Sequence, residues 1–133
     1  MASARWHTRG SEILYCAPNP ATAVLEVLVH AGVRDPSALG RHLFLKIDAP
    51  ADVSHGEVDE GHLPPDWSRR LRITRAWGDR WLREGTTAIL VVRSVLLPET
   101  YNVLINPRHP DAVRIRRLGT FPYPLDARLL DRR

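Results

Sequence analysis

Residues 5–30 read RWHTRGSEILYCAPNPATAVLEVLVH, and the fold is read outward from this stretch. Its second half predicts a helix that is almost wholly apolar. Asn19 is placed to cap it, Pro20 suits its first turn, and Gly32 stands past its far end. Within it only Thr22, Glu26 and His30 are polar, each four residues from the last, so they form one narrow stripe. Apolar residues cover the rest of the circumference, which predicts a helix packed on most sides. A carboxylate in its middle is expensive without water or a partner, so Glu26 faces either solvent or a cleft. Taken alone, the stripe reads as the wet side of a core helix. Upstream, Ile13-Leu14-Tyr15-Cys16 predicts a short apolar strand that ends before the Pro18-Asn19-Pro20 turn. Arg5, Tyr15 and Glu26 thus fall on three neighbouring segments.

A chain of 133 residues fits one domain, 1–133, with enough buried surface for a single core. The composition, 44% hydrophobic and 26% charged, is that of a globular protein. No run approaches the roughly twenty apolar residues that span a bilayer. The opening MASARWHTRG has no apolar signal core, so a cytoplasmic location is expected, with no membrane partner. The single cysteine, Cys16, excludes an internal disulfide and a cysteine-based zinc cluster, and its apolar strand predicts a buried thiol. The net charge of +4 suits either nucleic acid or an anionic small ligand. The arginines are spread and no aromatic residues interleave with them. No helix-turn-helix or zinc-finger spacing occurs, so a solvated basic surface is expected and direct nucleic-acid binding is not.

Further along, Asp35-Pro36 opens a helical turn through Leu39. Leu43, Leu45 and Ile47 alternate with Phe44, Lys46 and Asp48, which predicts a strand. Residues 49–66 are polar and read as a surface loop. Its Asp52, His55, Glu57, Asp59, Glu60 and His62 match no metal-site spacing, so no metal is expected. Thr74 to Glu84 predicts a helix closed by Gly85, with Trp77 and Trp81 on one buried face. Thr87 to Val95, TAILVVRSV, is apolar on both faces and predicts a central strand, with Leu90, Val92 and Ser94 on one side. Asn106-Pro107 opens a turn, and Val113 and Ile115 suggest another strand. The Pro-interrupted tail FPYPLDARLL is expected to pack across the surface. Strands and helices mix without regular alternation, which argues an α+β fold.

These blocks, in this order, resemble the RES domain family, the toxin half of bacterial RES–Xre toxin–antitoxin pairs. The first is Arg5-Trp6, Gly10, Tyr15 and ATAVLEVLVH with Glu26. The second is TRAWGDRWLREGTTAILVVRS, ending in Ser94. The third is PETYNVLINPRHP with Asn102, and the fourth is Phe121 with Asp126-Ala127-Arg128-Leu129. Four collinear blocks over nearly the whole chain are more specific than any one motif. The N-terminal segment is short relative to the family, and Ser3-Ala4, His7 and Arg93 depart from its usual glycine pair, asparagine and proline.

The resemblance implies a fold similar to ADP-ribosyltransferase toxins and NAD as substrate, cleaved between nicotinamide and ribose by phosphorolysis or hydrolysis. It leaves two alternatives: a mono-ADP-ribosyltransferase acting on a protein acceptor, and a catalytically inactive antitoxin-binding remnant. It further implies an Xre-type antitoxin partner and allows a homodimer within that complex. The residue types suit the chemistry. Cleaving that bond builds positive charge on the ribose carbon, which a carboxylate offsets, and Glu26 is the candidate. A guanidinium forks onto phosphate, so Arg5 is the candidate for the diphosphate or an attacking inorganic phosphate, with Arg9 its competitor. The Tyr15 ring can stack on the pyridine. Ser94 and Asn102 offer polar contacts to the ligand. Each taken singly has an ordinary structural reading; the ordered set is what favours a site.

Overall fold

The computed structural model describes residues 4–30 and 42–122, with Asp126 and Arg128. The expectations for Gly32, for the turn at 35–39 and for most of the tail beyond Pro122 lie outside the described residues.

In chain order the elements are β1 (Leu14–Cys16), α1 (Pro20–His30), β2 (Leu43–Asp48), β3 (His55–Glu57), α2 (Leu71–Glu84), β4 (Ile89–Arg93), β5 (Tyr101–Ile105) and β6 (Arg116–Pro122). One sheet has the order β1-β5-β4-β3, with β3 parallel to β4 and the other pairs antiparallel. A second, two-stranded sheet joins β2 to β6. The α+β expectation therefore holds.

The central position of β4 follows from its two apolar faces. Leu90 and Val92 point to a cluster with Trp6, Leu63, Trp67, Trp81 and Leu104, which α2 covers. Ile89 packs on the other side with Val53, Ala88 and Ile105, where Ile47 and Ile115 flank the two-stranded sheet. Leu104 is fully buried and Leu90 nearly so, each contributing about 1.5–3 kcal/mol by leaving water. In α2, Trp81 is buried and Trp77 packs against the same cluster, as their spacing predicts. Gly85 closes the helix in the left-handed region, φ 59°, and its N–H reaches Trp81 O at 2.9 Å.

Four expectations are corrected. The stretch 49–66 is more than a surface loop: His55–Glu57 forms a strand, and Val53 and Leu63 are buried. In β2 the alternation does not separate core from solvent. Leu43 and Leu45 are exposed, and a bulge between Lys46 and Ile47 shifts the register so that Ile47, not Lys46, turns inward. Val113 lies in a 3-10 turn (Pro110–Arg114) and is 86% exposed; the strand begins at Arg116. Last, no apolar side chain of α1 is buried, and Val29 is 51% exposed. Its polar stripe turns inward at Thr22 and Glu26 and opens to solvent at His30.

Candidate functional site

The site grows from the cap of α1. Asn19 Oδ1 accepts from the Thr22 N–H at 2.9 Å and from its hydroxyl at 3.2 Å, which starts the helix and turns Thr22 inward. One turn on, the same stripe carries Glu26, whose side chain is 23% exposed, and then His30, which is open to solvent. The stripe so descends from solvent to the end of the main sheet.

There two neighbouring strands meet it. Asn102 on β5 stands opposite Val92 on β4, and its Nδ2 donates to Glu26 Oε1 at 2.7 Å. Ser94, buried just past β4, donates its hydroxyl to the same oxygen at 3.2 Å. The Ser94 oxygen also accepts from the N–H groups of Leu96 and Leu97, at 3.2 and 3.3 Å. Those bonds leave its proton to the carboxylate. The 94–100 turn is closed by Ser94 N–H to Thr100 O at 2.8 Å. Arg93, on the opposite face of β4, ties Pro98 O at 3.0 Å and pairs with Glu60 at 2.5 Å. Both donors therefore hold Oε1. The other oxygen, Oε2, faces His30 Nε2 at 3.7 Å. A carboxylate only accepts, so the Asn102 amide must turn its NH2 toward it. That leaves Asn102 Oδ1 buried with no partner among the described residues.

Arg5 and Tyr15 come from the segment laid across α2. Arg5 O accepts from the buried Thr74 hydroxyl at 2.7 Å, and Ala4 O accepts from Arg75 Nε at 2.8 Å. Gly78 lets the segment touch the helix, since a Cβ there would lie 1.8 Å from Trp6 O. The Arg5 guanidinium gives one N–H to Ser68 O at 2.7 Å. Burial lowers its pKa, and the charge of Glu26 works against that, so the guanidinium and the carboxylate share one electrostatic neighbourhood. Arg9, the competitor for its role, is exposed. The Tyr15 hydroxyl meets Trp6 N–H at 3.1 Å and His7 Nδ1 at 3.0 Å, while the residue as a whole is 38% exposed. Burial raises the Tyr15 pKa, which keeps the phenol neutral at physiological pH.

Glu26, Ser94 and Asn102 are thus in direct contact, with Arg5 and Tyr15 flanking them but not bonded to the carboxylate. Cavities of about 380 and 370 Å³ open elsewhere. One lies by Thr8, Asp79 and Asn106 and the other by Glu57, Glu60 and Tyr101, and neither is lined by residues 5, 15 or 26. Sequence reasoning missed His7, Thr74 and Gly78, which hold the Arg5–His7 segment. The signal for Gly78 was a glycine inside an otherwise good helix. It placed His30 on the stripe without giving it a role at the carboxylate. Among the described residues no three His, Cys, Asp or Glu side chains gather as a metal site would require.

The chain as a whole is similar to known proteins. Residues 1–126 match the family described as RES domain. A protein of Pseudomonas putida named Toxin Res is 40% identical over 111 residues, 83% of this chain and 74% of that one. The Prs ADP-ribosylating toxin of a Sphingobium species is 36% identical over 130 residues, 95% of this chain and 80% of its own. A Toxin Res of Photorhabdus laumondii is 33% identical, over 95% of this chain and 81% of its own. With that family match over nearly the whole chain and relatives 33–40% identical to it, the chain belongs to the RES domain family.

Proposed function

We propose that the protein is an NAD-consuming toxin that breaks the bond between nicotinamide and ribose. The observation that carries this is Glu26: one of its oxygens is held by Ser94 and Asn102 while the other is left beside a solvent-exposed histidine. In the reaction the bonding pair leaves with the pyridine nitrogen, which becomes neutral, so no strong acid is needed. Positive charge builds on the ribose carbon, and the unpinned oxygen of a fixed carboxylate offsets it without reorganising. Arg5 has donors to spare for a diphosphate or for inorganic phosphate as co-substrate. The half-exposed face of Tyr15 suits stacking on the nicotinamide.

A second reading keeps the same site and changes the acceptor. The Sphingobium relative is named an ADP-ribosylating toxin, which favours transfer of ADP-ribose to an acceptor such as a protein side chain in place of water or phosphate. The names of the relatives also favour an antitoxin partner, which we take to be of the Xre type, with a homodimer within that complex and action in the cytoplasm.

The test is free nicotinamide, followed after purified protein meets NAD with and without phosphate. Glu26→Gln keeps the size and removes the charge, and is expected to slow release by about two to three orders of magnitude. Carrier-labelled NAD separates the readings: label on a protein band indicates transfer, and only soluble label indicates phosphorolysis or hydrolysis. A wild-type protein that releases no nicotinamide and labels nothing would be an inactive, antitoxin-binding remnant, and the proposal would fall.

A further inference from the structure

The Tyr15 oxygen has two neighbours, and their chemistry decides where its proton lies. A backbone N–H can only donate, so the oxygen accepts from Trp6 at 3.1 Å. Its own proton remains to be given, and His7 Nδ1 lies 3.0 Å away. Nδ1 accepts that proton in the tautomer that carries the ring proton on Nε2. Were Nδ1 protonated, two donors would face the phenol oxygen and the phenol proton would lose this partner.

His7 is itself held firmly. It is buried, and its backbone belongs to the segment that Thr74, Arg75 and Gly78 fasten to α2. Its ring lies against that of Tyr15, with centroids 5.6 Å apart and planes tilted by 43°. Tyr15, by contrast, sits on β1, a three-residue strand at the edge of the sheet. Two rotatable bonds would let its half-exposed ring swing. A ring that is to stack on a flat ligand has to keep its plane to within about 10–20°.

We propose that His7 is a positioning residue: it takes the phenol proton of Tyr15 and fixes the plane of the ring that receives the nicotinamide. This rests on the proposed function for its consequence, but the bond between the two side chains can be tested without it.

The experiment is a double-mutant cycle of His7→Ala and Tyr15→Phe, with His7→Asn as the conservative variant. Asparagine Oδ1 stands two bonds from Cβ, as histidine Nδ1 does, so it can accept the same proton. In nicotinamide release, His7→Ala is expected to raise KM for NAD about tenfold, with a smaller fall in kcat. His7→Asn restores KM to within about twofold of wild type. In the Tyr15→Phe background His7→Ala adds less than about twofold, because the bond is already gone. Thermal unfolding reads the same cycle without NAD: each single change lowers Tm, and the pair lowers it by less than the sum. A His7→Ala enzyme with unchanged KM, or strictly additive losses in Tm, overturns the proposal. A wild-type protein inert towards NAD, with Tm losses that are less than additive, instead overturns the proposed function and leaves the bond standing.

Discussion

At the scale of single residues the site is a carboxylate with unequal oxygens. Oε1 takes the donors from Ser94 and Asn102, while Oε2 faces the exposed His30 at 3.7 Å. Asn102 bears most on this, being the nearer donor at 2.7 Å. Asn102→Asp sets a second carboxylate against the first. Two such groups at that distance cannot both stay ionised near neutral pH, so one takes up a proton. Nicotinamide release is expected to fall about a hundredfold while the folded yield is kept, measured at pH 7.5 against wild type in the same assay. A second residue-scale reading concerns Cys16. Burial pushes its thiol up to about 11, so the reactive thiolate is scarce at neutral pH. Alkylation is expected to be slow in the native protein and fast after unfolding in urea, followed by mass spectrometry. The residue types were legible early: an acid amid apolar neighbours, an arginine and a tyrosine nearby. That Ser94 and Asn102 converge on Glu26 was not, because 68 and 76 residues separate the partners and no local periodicity reports such a distance.

Among the elements, α2 is the platform. It buries Trp81 against the sheet, and on it the Arg5–His7 segment rests through Thr74 and Gly78. Gly78→Ala forces a Cβ onto the Trp6 carbonyl, backbone against backbone, so the segment has to lift. The expected cost is about 1–3 kcal/mol, seen as a lower Tm, with nicotinamide release falling as Arg5 and His7 lose their seat. Ala76→Gly, on the exposed side of the same helix, serves as the control for helix propensity alone. Elements with strong self-consistent patterns were the readable ones: β4 through its two apolar faces, α2 through its tryptophan pair and its closing glycine. The misread ones have physical reasons. Strand β3 is three residues long, too short to show a period. In β2 a bulge reverses the alternation midway. In α1 the rule that polar stripes face water fails because the stripe is bound by strand side chains.

For the whole molecule, two apolar clusters on either face of one sheet carry the stability, and the site lies where α1 meets the ends of β4 and β5. No helix among the described residues is long and apolar enough to cross a membrane. If the chain consumes NAD, its expression without a partner is expected to arrest bacterial growth and lower cellular NAD. Glu26→Gln is expected to restore both at equal protein level, read by growth curves and an NAD assay of extracts. Arrest that persists in the Glu26→Gln strain would separate toxicity from the carboxylate. The distance along the chain between Glu26 and its two strand donors has a consequence for synthesis. Position 26 is made before positions 94 and 102, so a ribosome that has not yet reached residue 102 carries the acid without its full set of clamps. The acid is thus made long before the side chains that grip it, and its place in the fold is settled only once both strands have been laid down.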